Sequence, residues 1–312
     1  MRAPAKNLAH MPLLMECEKL NLTRSINMAL LRGEDVYRKT SVGAMRRLFL
    51  SLAIALMLSG TSVVAQQSST TEPISDNSFL IEEAYNQDPG VVQHINTFTR
   101  GRDGNWVYTF TQEWPIKSMK HQFSFTIMAL GNGDEQGIGD TAINYRYQLV
   151  NKKRVAVAPR ISLLLPTGDS KKGLGFGEVG LQTNLPISIT HSSKFVTHWN
   201  AGATLIPRAK NEFSEKAFSK GFNLGQSTIW LANNRFNILV ETVWNSFELV
   251  VRQHQTETQY SAIVNPGIRW AYNFKSGLQI VPGVSFPIGF GPSNGSRGVF
   301  LYLSFEHPFK KE

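Results

Sequence analysis

Residues 137–169, GIGDTAINYRYQLVNKKRVAVAPRISLLLPTGD, decide the fold. In the first half, Ile143, Tyr145, Tyr147 and Leu149 alternate with Ala142, Asn144, Arg146 and Gln148. Successive side chains of a strand point to opposite faces, so one face is apolar and aromatic and the other polar. Asn151-Lys152-Lys153 then predicts a tight turn. The second half repeats the pattern, with Val155, Val157, Ile161, Leu163 and Leu165 on one side and Ala156, Ala158, Arg160 and Ser162 on the other. Both strands exceed the ~5–6 residues usual in globular sheets, whereas a membrane-crossing strand needs ~9–11. Arginines on the polar face suit a wet lumen backed by a lipid-facing wall better than a sandwich core. The expectation is an all-β protein, an antiparallel transmembrane β-barrel.

Outward from this hairpin, the same alternation predicts strands near 91–100, 105–115, 119–130, 138–150, 153–165, 176–189, 194–206, 219–232, 235–249, 258–274, 277–288 and 298–309. The connections after strands two, four, six, eight and ten are short. Those after three, five, seven, nine and eleven are mostly longer: GNGDEQG, TGDSKKGLG, RAKNEFSEKAF, VVRQHQTET and GFGPSNGSR. The first connection, Gly101 to Gly104, is short and breaks the contrast. Outer-membrane barrels have short periplasmic turns, longer outer loops and an even strand number, which about twelve strands satisfies. Trp106, Trp114, Trp199, Trp230, Trp244, Trp270 and Tyr272 fall where interface girdles place aromatics. In the last strand Val299, Leu301, Leu303 and Phe305 alternate with Phe300, Tyr302, Ser304 and Glu306. Phe309 follows, as in the terminal signal read by the barrel-assembly machinery, although Lys310-Lys311-Glu312 trails it.

The N-terminal part reads differently. Met45-Arg46-Arg47 precedes the apolar run LFLSLAIALML (Leu48 to Leu58), and SGTSVVA leads to Gln66. A basic start, a short apolar stretch and small residues before the cut describe a secretory signal peptide over 45–65, cleaved after Ala65. The run is shorter than the ~20 residues of a spanning helix. Residues 1–44 carry the single cysteine, Cys17, and no strand alternation; an upstream start with Met45 as initiator, or a long n-region, accounts for them. Residues 66–90 are expected as a periplasmic N-terminal segment, with 78–90 a short helix at the barrel mouth or an ordered coil, and 91–309 as the barrel. Much of the net charge of +9 sits in the leader (Arg2, Lys6, Lys19, Arg24, Arg32, Arg38, Lys39, Arg46 and Arg47), which removes the argument for a nucleic-acid partner. With no cysteine after the cut, no disulfide is expected.

Alternation places Asp140, Asn144, Arg146, Arg160, Glu178, Gln182, Asn184, Glu241, Asn245, Asn265, Arg269 and Glu306 on the inner face. An outward Arg or Lys at the bilayer midplane would cost ~2–4 kcal/mol. These residues either line a passage or pair with one another and fill the barrel; pairing of Arg146, Arg160 and Arg269 with Glu178, Glu241 and Glu306 would mark the second. About twelve strands lie between filled small barrels and open porins. No catalytic site, metal or cofactor is expected. His191 and Ser193 fall in a predicted periplasmic turn, His198, His254 and His307 show no ligand spacing, and a lipase would need a Ser-His pair on the outer wall. GLGFGEVG (Gly173 to Gly180) precedes a strand rather than the helix a phosphate loop needs.

GIGDTAINYRYQL, then APRISLLLPTGD and a Gly-rich segment entering GLQTNLPIS, resemble the outer-membrane family named after the meta pathway of phenol degradation. The resemblance spans roughly 79 to 309. It implies a Gram-negative outer-membrane barrel admitting small molecules, aromatic or other apolar compounds included, with membrane lipid and the assembly machinery as partners. The second expectation is a structural or adhesive barrel with a closed, salt-bridged lumen.

Overall fold

The computed structural model describes residues 74, 78–133 and 135–309. The expected extension 1–44 and signal peptide 45–65 lie outside the described residues. Twelve antiparallel strands close on themselves. They are β1 (Val91–Gly101), β2 (Trp106–Ile116), β3 (Ser118–Asn132) and β4 (Glu135–Ile138, Thr141–Tyr147 and Val150–Asn151). Next come β5 (Val155–Val157 and Arg160–Leu165), β6 (Gly180–Thr190), β7 (Phe195–Lys210) and β8 (Lys216–Asn233). The last four are β9 (Phe236–Arg252), β10 (Gln255–Trp270 and Tyr272–Asn273), β11 (Gln279–Ser285 and Ile288–Gly289) and β12 (Gly298–Pro308). Each pairs with its sequence neighbour, and β1 pairs along its length with β12, from Val91 opposite Pro308 to Gly101 opposite Gly298. Closure removes the unpaired strand edges that a bilayer could not hydrate.

The alternation of 137–169 appears as expected. Ala142, Asn144, Arg146 and Gln148 are buried, as are Ala156, Ala158, Arg160 and Ser162. Ile143, Tyr145, Leu149, Ile161 and Leu163 are exposed on the outer wall. The same inversion runs round the barrel: Leu181 and Leu185 on β6, Trp199 and Leu205 on β7, Phe222 and Leu224 on β8, Val240 and Trp244 on β9, and Leu301 on β12 all face outward. Polar residues inside and an apolar belt outside are the reverse of a water-soluble barrel. That belt goes far beyond the few hundred Å² of apolar patch usual on soluble monomers, so its solvent is lipid. Trp199, Trp230, Trp244 and Tyr272 are on this exposed face.

Strands β7 to β10 are longer than expected: β8 alone runs 18 residues, well past the ~9–11 that cross a membrane. The stretches GNGDEQG, RAKNEFSEKAF and VVRQHQTET were expected as loops. The paired strands consume most of them, leaving a turn at Gly133 and turns at 211–215 and 253–254. Polar sequence beyond the membrane still ladders, because backbone pairing needs no apolar face. The long loop end thus consists of tall hairpins plus two real loops, 166–179 and 290–297.

Candidate functional site: the lumen

The segment 78–87 is neither a helix nor outside the barrel. It is an irregular coil that passes through the lumen before the chain turns at Asp88–Gly90 into β1. Phe79, Leu80, Ile81 and Ala84 are fully buried. Helical spacing in Phe79, Leu80 and Ala84 gave way because the wall supplies partners for the backbone amides of 79–82, 84, 86 and 87, and a helix would have consumed those amides itself.

Glu241 on β9 is the centre of this arrangement. Its carboxylate accepts from the backbone N–H groups of Phe79 (2.9 Å), Leu80 (3.0 Å) and Ile81 (3.4 Å), and from Asn265 Nδ2 on β10 (2.9 Å). The next amides follow round the wall. Glu82 N–H donates to Asn200 Oδ1 (2.8 Å), Ala84 N–H to Ser188 Oγ (2.8 Å), Asn86 N–H to Gln148 Oε1 (3.0 Å) and Gln87 N–H to Gln122 Oε1 (2.7 Å). Arg146 donates to the Glu83 carbonyl (3.2 Å), the Tyr85 carbonyl (2.5 Å) and Asn86 Oδ1 (2.8 Å). Arg160 pairs with Glu82 at 3.0 Å and reaches Asn144 Oδ1 and Gln182 Oε1, while Asn184 Nδ2 donates to Glu82 (2.8 Å). Phe79 adds the apolar anchor, with ring centroids 5.4 Å from both Phe300 and Tyr302. It lies against Gly267 and Gly283, where a Cβ would come within 2.6 Å of the ring, so both positions must lack a side chain.

The other end of the lumen is filled by the loop 166–179. Asp140, in the break of β4, accepts from the backbone N–H of Gly168 (3.0 Å) and of Phe176 (2.8 Å). This carboxylate draws the loop inward, burying Leu174 and Phe176. Phe176 packs on Phe247 of β9 at 5.4 Å, among Met128, Leu130, Leu164, Ile206 and Leu249. The lumen therefore holds two fillings, the 78–87 coil hydrogen-bonded to polar wall groups and the 166–179 loop packed through Phe176. One continuous buried apolar cluster joins Phe79, Leu80 and Ile81 to Phe176 and Phe247.

Of the expected lumen residues, Asp140, Asn144, Arg146, Arg160, Gln182, Asn184, Glu241, Asn245, Asn265 and Arg269 are buried inside. Glu306 keeps the inner-face parity of Tyr302 and Ser304 but is only half-buried near the terminal end. Glu178 is a correction: β6 starts at Gly180, so Glu178 belongs to the loop, where it pairs with Arg208 at 3.5 Å. The charges also do not tie wall to wall in the expected way. Arg146 and Arg160 hold residues 82–86, and Glu241 holds the amides of 79–81. Sequence reasoning missed the plug itself. Its signal was the apolar run Phe79-Leu80-Ile81 directly before a wall whose inner face is largely polar.

A Ser-His contact does exist: Ser188 Oγ lies 2.6 Å from His198 Nδ1. Both are fully buried inside the lumen and Ser188 also accepts from Ala84 N–H, so the pair is not on the outer wall where a lipase would need it. Among the described residues no group of three His, Cys, Asp or Glu could hold a metal ion.

Solved structures share the outline. The chain is similar to a NanC porin (7% identity over 70% of this chain and 100% of that one, TM-score 0.47) and to a KdgM porin (8% identity, 70% and 99%, TM-score 0.43). It is likewise similar to an outer-membrane channel from Pseudomonas putida F1 (12% identity, 72% and 97%, TM-score 0.49). No family model matches the chain, and no curated protein matches it.

Proposed function

We propose that this barrel resides in the outer membrane of a Gram-negative bacterium and passively admits small molecules through a lumen closed at rest by its own residues 78–87. The observation that carries this reading is the way the segment is held. A structural barrel of this size can fill its lumen with wall side chains alone. Here the wall instead presents Glu241, Asn200, Ser188, Gln148 and Gln122 as acceptors to a detached coil. Each of these bonds is one that water can replace, so withdrawal of the segment has chiefly to overcome the burial of Phe79, Leu80 and Ile81. It leaves Glu241, Asn200, Ser188, Gln148 and Gln122 facing a hydrated passage. The apolar outer half, built around Phe176 and Phe247, supports apolar cargo, aromatic compounds included. That fits membership of the family that residues 137–169 resemble. The C-terminal strand supports insertion by the barrel-assembly machinery, with membrane lipid against the outer wall.

The dense filling of both halves favours a second reading, a closed structural or adhesive barrel. Planar-bilayer conductance separates the two. The intact barrel is expected to be mostly silent with brief openings, and a barrel lacking 78–87 is expected to show stable steps. A folded, heat-modifiable barrel that lacks the segment and stays silent would leave the structural reading.

A further inference from the structure

At the loop end of the β1–β12 seam the outer wall carries a cleft of about 520 Å³. Its floor is open because Gly101 and Gly298 face each other across the seam, so neither strand contributes a side chain at that level. Below the floor, Phe98 lies opposite Leu301 and Arg100 opposite Val299. Above it the turn and the 290–297 loop add Arg102 and Arg297, joined by the bond from Arg102 N–H to the Arg297 carbonyl (2.9 Å). Arg100, Arg102 and Arg297 are all exposed, as are Val299 and Leu301. Among the described residues none of the three arginines makes an ion pair within 4 Å, although the Asp103 carboxylate acts on Arg100 at longer range. Asp103 in the same turn is turned to Asn105, accepting from its backbone N–H (3.1 Å) and its Nδ2 (2.8 Å).

Three like charges at one rim repel one another unless an anion joins them. The guanidinium fork matches phosphate oxygens two at a time. The level of the cleft also matters. Trp106 lies opposite Arg100 across the β1–β2 pair and stacks on Phe98 at 6.3 Å, placing an interfacial aromatic beside the arginines. The charges therefore lie at headgroup height and the Phe98, Val299 and Leu301 side chains at acyl-chain height. Free phosphate would use only the upper part of such a surface.

We propose that this cleft binds a diphosphorylated, multiply acylated glycolipid of the outer leaflet, with its phosphates on Arg100, Arg102 and Arg297 and its acyl chains along Phe98, Val299 and Leu301. The proposal rests on the outer-membrane reading above. Such a lipid clasps β1 to β12, the seam that the last strand must close.

The test uses the full chain, purified from cells in mild detergent and titrated with a purified diphosphoryl glycolipid by native mass spectrometry. Its dephosphorylated form, phosphatidylethanolamine and inorganic phosphate serve as separate probes. The glycolipid is expected to bind in preference to all three. Arg100→Ala/Arg102→Ala/Arg297→Ala is expected to weaken it by about tenfold or more, with heat-modifiable mobility unchanged, since all three side chains are exposed. The triple lysine variant, which keeps charge but loses the fork, should fall between. Equal affinity in the triple alanine variant, no preference over phosphatidylethanolamine, or equally effective competition by inorganic phosphate would each overturn the site. If the triple variant does not fold, Arg297→Ala alone decides, through weakened or unchanged binding. Cell fractionation tests the outer-membrane reading separately: a chain found elsewhere sinks that reading, while the titration still decides the cleft.

Discussion

Glu241 and Phe247 point into the same lumen from one strand, β9, yet they hold different parts of the chain by different physics. Glu241 fixes residues 79–81 through three backbone amides, whereas Phe247 fixes the 166–179 loop through ring packing on Phe176. Directional bonds to a coil can be exchanged for bonds to water with little net change. A packed apolar core opens only by exposing its surface to water. The amide bonds of 78–87 are therefore the exchangeable part of the filling, whereas Phe79 on Phe300 and Tyr302, like Phe176 on Phe247, opens only by exposing apolar surface.

Substitutions at the two positions should break this symmetry. Glu241→Ala abandons four buried donors at roughly 1–3 kcal/mol each, three of them amides of the segment and the fourth Asn265 Nδ2 on β10. It is expected to release 78–87, read as protease cleavage within that stretch, while the barrel keeps its heat-modifiable mobility. Arg160→Ala removes the partner of Glu82 and strands a buried charge, at about 3–5 kcal/mol. The expected readout is the same cleavage, with the 166–179 loop unaffected. Phe247→Ala should cost about 3–5 kcal/mol of barrel stability in urea, without exposing residue 79. Matching cleavage of 78–87 in Phe247→Ala and Glu241→Ala would show the halves to be one cooperative core. Smallest is Arg208→Ala, which loses only a pair in which Arg208 is mostly exposed; its effect on unfolding should stay within ~1 kcal/mol.

The wall was legible in the sequence because strand parity is local. From Ile143 to Leu165, each residue's face follows from its neighbours, and the same rule put Asn144, Arg146, Arg160, Gln182, Glu241 and Arg269 inside. Parity failed at Glu178, where the strand had not yet begun. Loop height was misread because strand pairing continues through polar sequence, as in β8 and β9. The plug was invisible for a deeper reason. What holds Phe79, Leu80 and Ile81 is Glu241, some 160 residues away, and no local pattern encodes a coil whose amides are completed by a distant wall.

The central claim is that residues 78–87 close a passage, and a tether tests it most directly. Ser78 Oγ donates to Ser227 Oγ at 2.9 Å, so cysteines at these two positions lie within disulfide reach. Replacing the single native Cys17 leaves that pair alone. With Ser78→Cys/Ser227→Cys/Cys17→Ser in a planar bilayer, the oxidised barrel should be silent, and reduction should restore openings at the frequency of the untethered chain. Conductance that is the same before and after reduction would contradict the account.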